Sequence, residues 1–221
     1  MYQIAHSRKA FADPCRSREP AGVGKRVFDV AAAVVLLLLT LPLTVAIAGV
    51  LWAQGGGIFF RQRRVGHAGR MFDMWKFRSM QPGAERRLAQ FLEHNPALRR
   101  EWAQGAKLSV DPRVTRLGVV LRRYSLDELP QLWNVLRGDM SLVGPRPVPG
   151  DELRSFYGAA AKIYCAGRPG LTGLWQVSGR NALSYEARVM LDLRYRRDQG
   201  VALDLWIIWR TIHALVGGTG R

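Results

Sequence analysis

The hydropathy pattern of the chain is dominated by one apolar segment near the N-terminus. Residues 30–53 carry no charged side chain, and they lack the polar stripe expected of a soluble helix of that length. At about 1.5 Å per residue, a helix over this segment is long enough to cross a hydrocarbon core of about 30 Å. The pattern therefore predicts a membrane-embedded helix, which we place at residues 25–54.

Basic residues flank the apolar segment on both sides. Six lysines and arginines lie among residues 8–26, and four arginines lie among residues 61–70. Because cytoplasmic flanks are enriched in Lys and Arg, two basic flanks favour both helix ends lying on the cytoplasmic side. Pro42, in the middle of the segment, removes one helical hydrogen bond and bends the axis. We therefore predict a re-entrant membrane helix bent at Pro42, with a kinked spanning helix as the alternative.

Shorter periodic segments follow the membrane helix. Alternation and turn residues predict one β-hairpin, from residues 58–65 and 70–77. The concentration of glycine in residues 167–181 predicts a loop system. Residues 1–24 are polar and aperiodic, which is typical of a flexible basic tail. Helical spacing and helix-end signals predict further helices at about 82–104, where Pro96 interrupts, 126–137, 184–198 and 202–216.

These elements place the chain in the α+β class. We predict a mostly helical monotopic membrane protein with an N-terminal re-entrant membrane helix, a small β-hairpin and interfacial amphipathic helices. The predicted organisation is a flexible basic tail at residues 1–24, the membrane helix at 25–54, and a cytoplasmic domain with membrane-interface helices at 55–221.

The last predicted helix has a wide apolar face. Tryptophan favours the headgroup layer because its ring is apolar and its N–H is polar, so one interpretation is a helix lying in the membrane plane. Packing against the core of the domain explains the pattern equally well. The residues of this face are Leu205, Trp206, Ile207, Ile208, Trp209, Ile212 and Val216.

The charge of the chain narrows its possible partners. The 221 residues include 33 Lys and Arg against 17 Asp and Glu, which gives a formal net charge of +16. A hydrophobic content of 48% is sufficient for a packed core and excludes wholesale disorder. A protein this basic is expected to bind a polyanion, which leaves nucleic acid, an anionic membrane surface or a phosphorylated substrate.

Two adjacent acids, Asp127 and Glu128, follow two arginines in the segment RRYSLDELPQL. A structural explanation exists, because Ser125 and Glu128 fit a capping box, or Asp127 fits a helix N-cap with Pro130 in the first turn. Both alternatives put Asp127 at the positive end of a helix dipole, where the dipole and Arg122 favour an ionised carboxylate. Such a carboxylate can act as a nucleophile or as a Mg²⁺ ligand, so Asp127 is a candidate catalytic residue.

Two further segments present cations that suit phosphate. Arg146 lies between Pro145 and Pro147, which restrict the backbone and present the guanidinium to an anion at low entropic cost. Lys76 and Arg78 alternate along a predicted strand, so they share one face and suit a diphosphate. A surface turn and a solvated strand face are the corresponding structural explanations.

Several motifs, in one order, resemble those of the bacterial sugar transferase family, the monotopic phosphoglycosyl transferases. They are KRVFD before the apolar segment, FFRQRRVG and KFRSM after it, then RRYSLDELPQLWNVLRGDMSLVGPRP and RPGLTGLWQVSGRN. The resemblance covers nearly all of residues 25–217. The short chain is similar to the minimal undecaprenyl-phosphate sugar phosphotransferases of exopolysaccharide assembly, and GLWQVSGRN resembles the galactose- or glucose-specific members.

The resemblance implies transfer of a hexose 1-phosphate from a UDP-hexose to undecaprenyl phosphate, through a phosphosugar on Asp127 and with release of UMP. Asp127 would also be a ligand of a Mg²⁺ cofactor, and Glu128 would be its partner acid. The domain at residues 55–221 would be catalytic, on the cytoplasmic face of the bacterial inner membrane and in contact with membrane lipids, and it is compatible with a homo-oligomer. The implied phosphate- and substrate-binding residues are Lys76, Arg78, Arg122, Arg146, Arg168, Gln176, Arg180 and Asn181.

Two non-enzymatic functions compete with this hypothesis. A membrane-tethered protein that binds anionic lipid or nucleic acid without catalysis would account for the net charge of +16. The acidic pair Asp127 and Glu128 serves no purpose on a surface that binds a phosphate backbone, so we expect no nucleic-acid partner. A scaffold with an inactive site is disfavoured because none of the motifs is degraded.

Overall fold

The computed structural model describes residues 22–105, 108, 111–179 and 182–216, so the predicted tail lies almost entirely outside the described residues. The described residues form a mostly helical structure with two small sheets, which confirms the α+β class. The helices are α1 (Val23–Ala53), α2 (Ala84–His94), α3 (Pro96–Gly105), α4 (Arg116–Arg123), α5 (Gln131–Arg137), α6 (Gly150–Glu152, continued by a π-helical turn at Leu153–Tyr157), α7 (Ala161–Cys165), α8 (Leu174–Val177), α9 (Tyr185–Asp198) and α10 (Val201–Val216).

Most of the predicted helices are confirmed. α9 and α10 lie where the periodicity placed them, and Pro96 ends one helix and begins the next, α3. Proline is tolerated at the first position of a helix because no helical hydrogen bond is lost there. The helix predicted at 126–137 is divided, because a 3₁₀ turn at Leu126–Glu128 precedes α5.

The apolar segment forms one helix, α1, which continues through Pro42. It has the length and hydropathy of a membrane-embedded helix. Ala33, towards its N-terminal end, packs in the main core, and Leu51, at its other end, packs with Phe77 and Leu121. Most side chains between these two contacts are exposed. The two ends of α1 thus pack on the same folded domain, while the re-entrant insertion and the bend at Pro42 stay predictions.

Polar side chains fix the N-terminal end of α1 to the domain. Lys25 donates a hydrogen bond to the Asp204 carboxylate of α10 at 2.7 Å. Asp29, only 2% exposed, accepts a hydrogen bond from the Ser141 hydroxyl at 2.7 Å. Because a buried carboxylate is costly unless it is paired or hydrogen-bonded, these contacts integrate the KRVFD segment into the domain.

The predicted hairpin is confirmed. Strands β1 (Phe59–Val65) and β2 (Met71–Phe77) pair antiparallel, with Phe60 opposite Lys76. Since side chains alternate between the faces of a strand, Arg64 lies on the same face of β1 as Phe60. This face of the hairpin forms one wall of the cavity described below.

A second sheet was not predicted. Strands β3 (Ser141–Val143) and β4 (Gly170–Thr172) pair in parallel, and β4 lies inside the segment predicted to be a loop system. The backbones of Gly144 and Gly170 approach so closely that a Cβ atom on either residue would collide with the backbone of the other. The loop prediction is therefore wrong at β4 and α8, because glycines there serve close packing of the backbone as well as turns.

Helix α10 has apolar side chains on two sides. Ile207 is fully buried in the main core, so the interpretation of α10 as a core helix is right for this side. A membrane contact of the other side stays a prediction. The exposed apolar residues of α10 are Val201, Leu205, Trp206, Trp209 and Ile212.

Candidate active site

A cavity of about 730 Å³ lies between the hairpin face and the segments that follow it. This volume is within the range of small-molecule sites, about 300–1,000 Å³. Seven cationic side chains and two acidic ones line it, so the cavity is strongly positive. The charged residues are Arg64, Lys76, Arg78, Arg86, Arg113, Arg122, Arg146, Asp127 and Glu128.

The two acids lie on the 3₁₀ turn at Leu126–Glu128. Ser125 precedes this turn in the left-handed region, at φ 54°, and its side chain forms no capping hydrogen bond. Neither proposed capping arrangement is correct, because Asp127 lies within the turn and the Glu128 side chain bonds to Lys76 instead. The tight turn directs both carboxylates towards the same lysine.

Lys76, on the hairpin face, bridges the two acids. Its Nζ atom lies 2.5 Å from Glu128 Oε1 and 3.8 Å from Asp127 Oδ2. The sequence had suggested a phosphate ligand, whereas the structure commits Lys76 to the carboxylates. Lys76 therefore holds two adjacent negative charges together, which would otherwise repel each other.

The two carboxyl groups have opposite pKa shifts. Burial raises the pKa of Asp127 above its ordinary value; Lys76 opposes this shift, Glu128 adds to it, and Arg122 opposes it. Burial also favours protonation of Glu128, but Lys76 and Arg146 outweigh it and hold the Glu128 pKa below its ordinary value. The field of Arg122, from which we expected an ionised Asp127, is thus outweighed by burial.

Arg122, which belongs to α4, and Arg78, which contacts α1, both line the cavity. Arg122 Nε donates to the Ser79 hydroxyl at 2.9 Å. Arg78 follows the end of β2 and donates from Nη2 to the Leu51 carbonyl of α1 at 3.3 Å. Among the described residues, its buried Nε and Nη1 atoms have no hydrogen-bond partner. Gly56 makes room for this guanidinium, because a Cβ atom there would collide with it.

Arg146 and Gln176 line another part of the cavity. The exposed Arg146 lies between the buried Pro145 and Pro147, and its guanidinium carbon is 5.5 Å from the centroid of the Trp175 ring. Gln176 donates to the Leu171 carbonyl at 3.3 Å. The structure thus places these two sequence-predicted residues with Asp127.

The structure does not bring every predicted residue to the cavity. Arg168 is not among the lining residues, and its Nε donates to the Gly138 carbonyl at 2.7 Å, which fixes the end of α5. The assignment of Arg168 to substrate binding is not supported by this position, because its guanidinium is engaged by the backbone. Arg180 and Asn181 lie outside the described residues.

Sequence reasoning missed Arg64 and Ser79. Arg64 was counted in a basic flank of the membrane helix and lies in the FFRQRRVG motif, but no role was assigned to it; it is 7% exposed and lines the cavity. Its alternation with Phe60 on the predicted hairpin was the signal that could have found it. Ser79 gave no signal beyond its position in the KFRSM motif.

The donor set suits Mg²⁺ only together with a phosphate ligand. Among the described residues, no group of three His, Cys, Asp or Glu side chains is placed to hold a metal ion. Mg²⁺ is commonly held by one or two carboxylates together with substrate phosphates and water. Asp127 and Glu128 meet this smaller requirement, so the residues fit a Mg²⁺ that arrives with a diphosphate.

Comparison with known proteins identifies the family. The family model described as bacterial sugar transferase matches residues 21–218. The exopolysaccharide production protein ExoY of Rhizobium meliloti is 50% identical over 199 residues, which are 90% of this chain and 88% of that protein. The ExoY protein of Sinorhizobium fredii is 48% identical with the same coverage. The undecaprenyl-phosphate galactose phosphotransferase of Salmonella typhimurium is 41% identical over 89% of this chain, but this is 41% of that protein.

The matched residues include α1, the hairpin, the 3₁₀ turn at Leu126–Glu128 and α10. They also include every residue that lines the cavity. Since the model covers far more than half of the sequence, the chain belongs to the bacterial sugar transferase family.

Proposed function

We propose that the protein transfers a hexose 1-phosphate from a UDP-hexose to undecaprenyl phosphate, as the first membrane step of exopolysaccharide synthesis. The observation that carries this proposal is the buried Asp127 carboxylate, held beside Lys76 in a strongly positive cavity. The name of the Salmonella relative supports both the lipid acceptor and galactose as the sugar. Galactose and glucose are the hexoses that we favour.

The proposed chemistry has two displacements at one phosphorus atom. Ionised Asp127 attacks the phosphorus that carries the hexose, and the bond to the bridging oxygen breaks, so UMP leaves with that electron pair. An oxygen of undecaprenyl phosphate then attacks the same phosphorus. The bond to Asp127 breaks, which restores the carboxylate and yields a lipid-linked diphosphohexose. A covalent intermediate lets the water-soluble donor leave before the lipid acceptor enters.

The residues around Asp127 divide the remaining tasks. Lys76 opposes the effect of burial and so favours the ionised form of the carboxylate. Arg122 and Arg146 stabilise the negative charge on phosphate oxygens in the transition state, because fixed cations in a partly dehydrated cavity act strongly on developing charge. Arg78 and Gln176 complete the substrate-binding wall, and Arg180 and Asn181 remain proposed substrate-binding residues.

Glu128 acts mainly by positioning Lys76. Its pKa lies below the ordinary value, and a carboxylate of such low basicity is a poor general base near neutral pH. Asp127, with Glu128 beside it, would hold Mg²⁺, which when bound neutralises the charge of a diphosphate.

Turnover by the purified protein tests the proposed function. We expect UMP release and a lipid-linked diphosphosugar when the full chain is incubated with Mg²⁺, undecaprenyl phosphate and UDP-galactose or UDP-glucose. UDP-N-acetylglucosamine and UDP-N-acetylgalactosamine serve as the comparison donors. Preference for an N-acetylhexosamine would overturn the hexose assignment alone, whereas no UMP from any donor would favour the non-catalytic binding protein.

We also propose that α1 is re-entrant, so that the catalytic domain lies on the cytoplasmic face of the inner membrane. A straight helix that crossed the bilayer would carry its ends to opposite sides, about 30 Å apart. Ala33 and Leu51 instead both pack against the folded domain, and the exposed apolar part of α1 lies between them. This arrangement supports a helix that enters the membrane and returns to the same side.

Cysteine labelling tests this topology. We expect Gly22→Cys and Gln54→Cys, both at exposed positions, to react with a membrane-impermeant maleimide only after the cells are permeabilised. The variants are made in a chain whose native Cys15 and Cys165 are replaced by alanine, and retained UMP release is the control for folding. Reaction of one position in intact cells and of the other only after permeabilisation would establish a spanning helix instead.

A further inference from the structure

We propose that Arg64, together with Arg146, forms an anion-binding subsite that holds the phosphate of the uridine nucleotide. The inference rests on the proposed function and adds to it a residue that the sequence motifs did not identify as part of the site. Under this proposal, the subsite binds the phosphate that leaves in UMP, next to the phosphorus that Asp127 attacks.

Arg64 is a buried cation whose hydrogen bonds are incomplete. Its side chain is 7% exposed, and Nη2 donates to the neutral Gln62 amide oxygen at 2.6 Å. Within the described part of the chain, its buried Nε has no hydrogen-bond partner, and no carboxylate lies within ion-pair distance of its guanidinium. A buried charge without an ion-pair partner is costly, so this arrangement favours an anionic ligand.

Arg196 shows how a buried arginine with a structural role differs in this protein. It is 9% exposed, and its Nη2 donates to the Arg168 carbonyl at 2.7 Å and to the Tyr164 carbonyl at 3.5 Å. Arg196 does not line the cavity, whereas Arg64 does. Arg64 is thus about as buried as Arg196, but it lies on the cavity wall. It also lacks the backbone acceptors that fix Arg196.

A second guanidinium shares this part of the cavity. Burial lowers the Arg64 pKa, and the positive charge of Arg146 acts in the same direction, whereas Glu152, Tyr164 and Asp151 oppose the shift. Two arginines that repel each other in a cavity are stabilised by one anion that accepts hydrogen bonds from both. A phosphate suits this role because its oxygens accept the two-pronged hydrogen bonds of guanidinium groups.

The Tyr164 hydroxyl fixes the spacing of the two arginines. It donates to or accepts from three backbone groups: the Val65 carbonyl at 3.0 Å, the Arg146 carbonyl at 3.1 Å and the Val148 amide at 3.2 Å. Val65 follows Arg64 at the end of β1, so one buried hydroxyl joins the strand of Arg64 to the loop of Arg146. Such preorganisation lowers the entropic cost of binding an anion between them.

The position of Arg146 places the subsite beside the reacting group. Arg146 and Glu128 line the same cavity, and Glu128 is adjacent to Asp127 in the 3₁₀ turn. Arg64, Arg146 and Asp127 therefore face one cavity, which places the proposed subsite in the same space as the reacting carboxylate.

Equilibrium binding of UMP and uridine separates recognition of the phosphate from recognition of the nucleoside. We expect Arg64→Gln to weaken binding of UMP at least about tenfold and to leave the affinity for uridine unchanged, as measured by calorimetry on the full chain in phosphate-free buffer. Arg63→Gln is the matched control, because Arg63 lies on the opposite face of the same strand and its guanidinium is 3.8 Å from Asp73. It is expected to bind both ligands like the wild type.

Arg64→Lys keeps the charge but removes the two-pronged donor geometry, so we expect an intermediate loss of affinity for UMP. This variant tests the subsite even if Arg64→Gln fails to fold. Equal losses for UMP and uridine, or UMP binding unchanged in both Arg64 variants, would overturn the subsite while wild-type turnover still supported the proposed function. A wild-type protein that neither binds UMP nor releases it would overturn both proposals.

Discussion

Asp127→Asn is expected to lower UMP release and formation of the lipid-linked diphosphosugar by on the order of 10⁴-fold or more, because an amide cannot form the phosphosugar intermediate. Rapid-quench assays with a radiolabelled UDP-hexose measure both products, and the labelled protein adduct should be absent from the variant. Asp73→Asn is the matched control, since Asp73 is a partly exposed carboxylate on the other face of β2. UMP release by Asp127→Asn at the wild-type rate would contradict the nucleophile assignment.

The same variant is expected to be more stable than the wild type at neutral pH. Burial raises the Asp127 pKa, so the contribution of this carboxyl to stability is fully present below its ordinary pKa and is lost as pH rises through the raised value. The ionised group therefore destabilises the fold at neutral pH, and a neutral amide of the same shape removes this cost. Thermal unfolding in detergent should show a Tm a few degrees higher for Asp127→Asn, and a lower Tm would contradict the direction of the pKa shift.

Lys76→Met is expected to lower kcat/KM at neutral pH about 10²- to 10³-fold, because it removes a fixed cation next to the reacting carboxylate. It should also move the acidic limb of the pH profile to higher pH. Lys76 lowers the Asp127 pKa and Glu128 raises it, so loss of the lysine leaves burial and Glu128 acting in the same direction. The acidic limb of kcat/KM reports the ionisation of the free enzyme and is the readout that a purely structural role would not shift.

Two further variants make the interpretation of Lys76→Met specific. Lys76→Arg retains a cation and should keep the acidic limb near its wild-type position, even if the rate falls. Glu128→Gln removes the charge that raises the Asp127 pKa, so its acidic limb should move to lower pH. A profile of Lys76→Met that coincides with the wild type in pH dependence would show that Lys76 does not control the ionisation of Asp127.

The long or strongly periodic elements could be predicted from the sequence. The hairpin, α9 and α10 follow from alternation and helical spacing within each segment. The sheet of β3 and β4 could not be predicted in this way, because each strand has only three residues and the pairing joins Ser141 to Gly170, which are far apart in the chain. Neither strand contains enough residues for a period to be recognised.

The sequence predicted those site residues whose motif position also places them on the cavity wall. Asp127, Glu128 and Arg146 were found because unusual residues are adjacent in the chain, and all three line the cavity. Arg168 was assigned from its place in a motif, although its guanidinium bonds to the Gly138 carbonyl. Arg64 was overlooked because a basic residue after a membrane helix already had an explanation, and only the face of the strand distinguishes it from Arg63.

The contact between Arg78 and the Leu51 carbonyl joins the wall of the cavity to the membrane helix. Gly56, in the segment that leaves the helix, adjoins the same guanidinium. A fragment lacking residues 22–54 would therefore be an incomplete enzyme rather than a water-soluble version of it. Under the proposed function, the same contact would hold the cavity next to the membrane surface, where the phosphate of the lipid carrier lies.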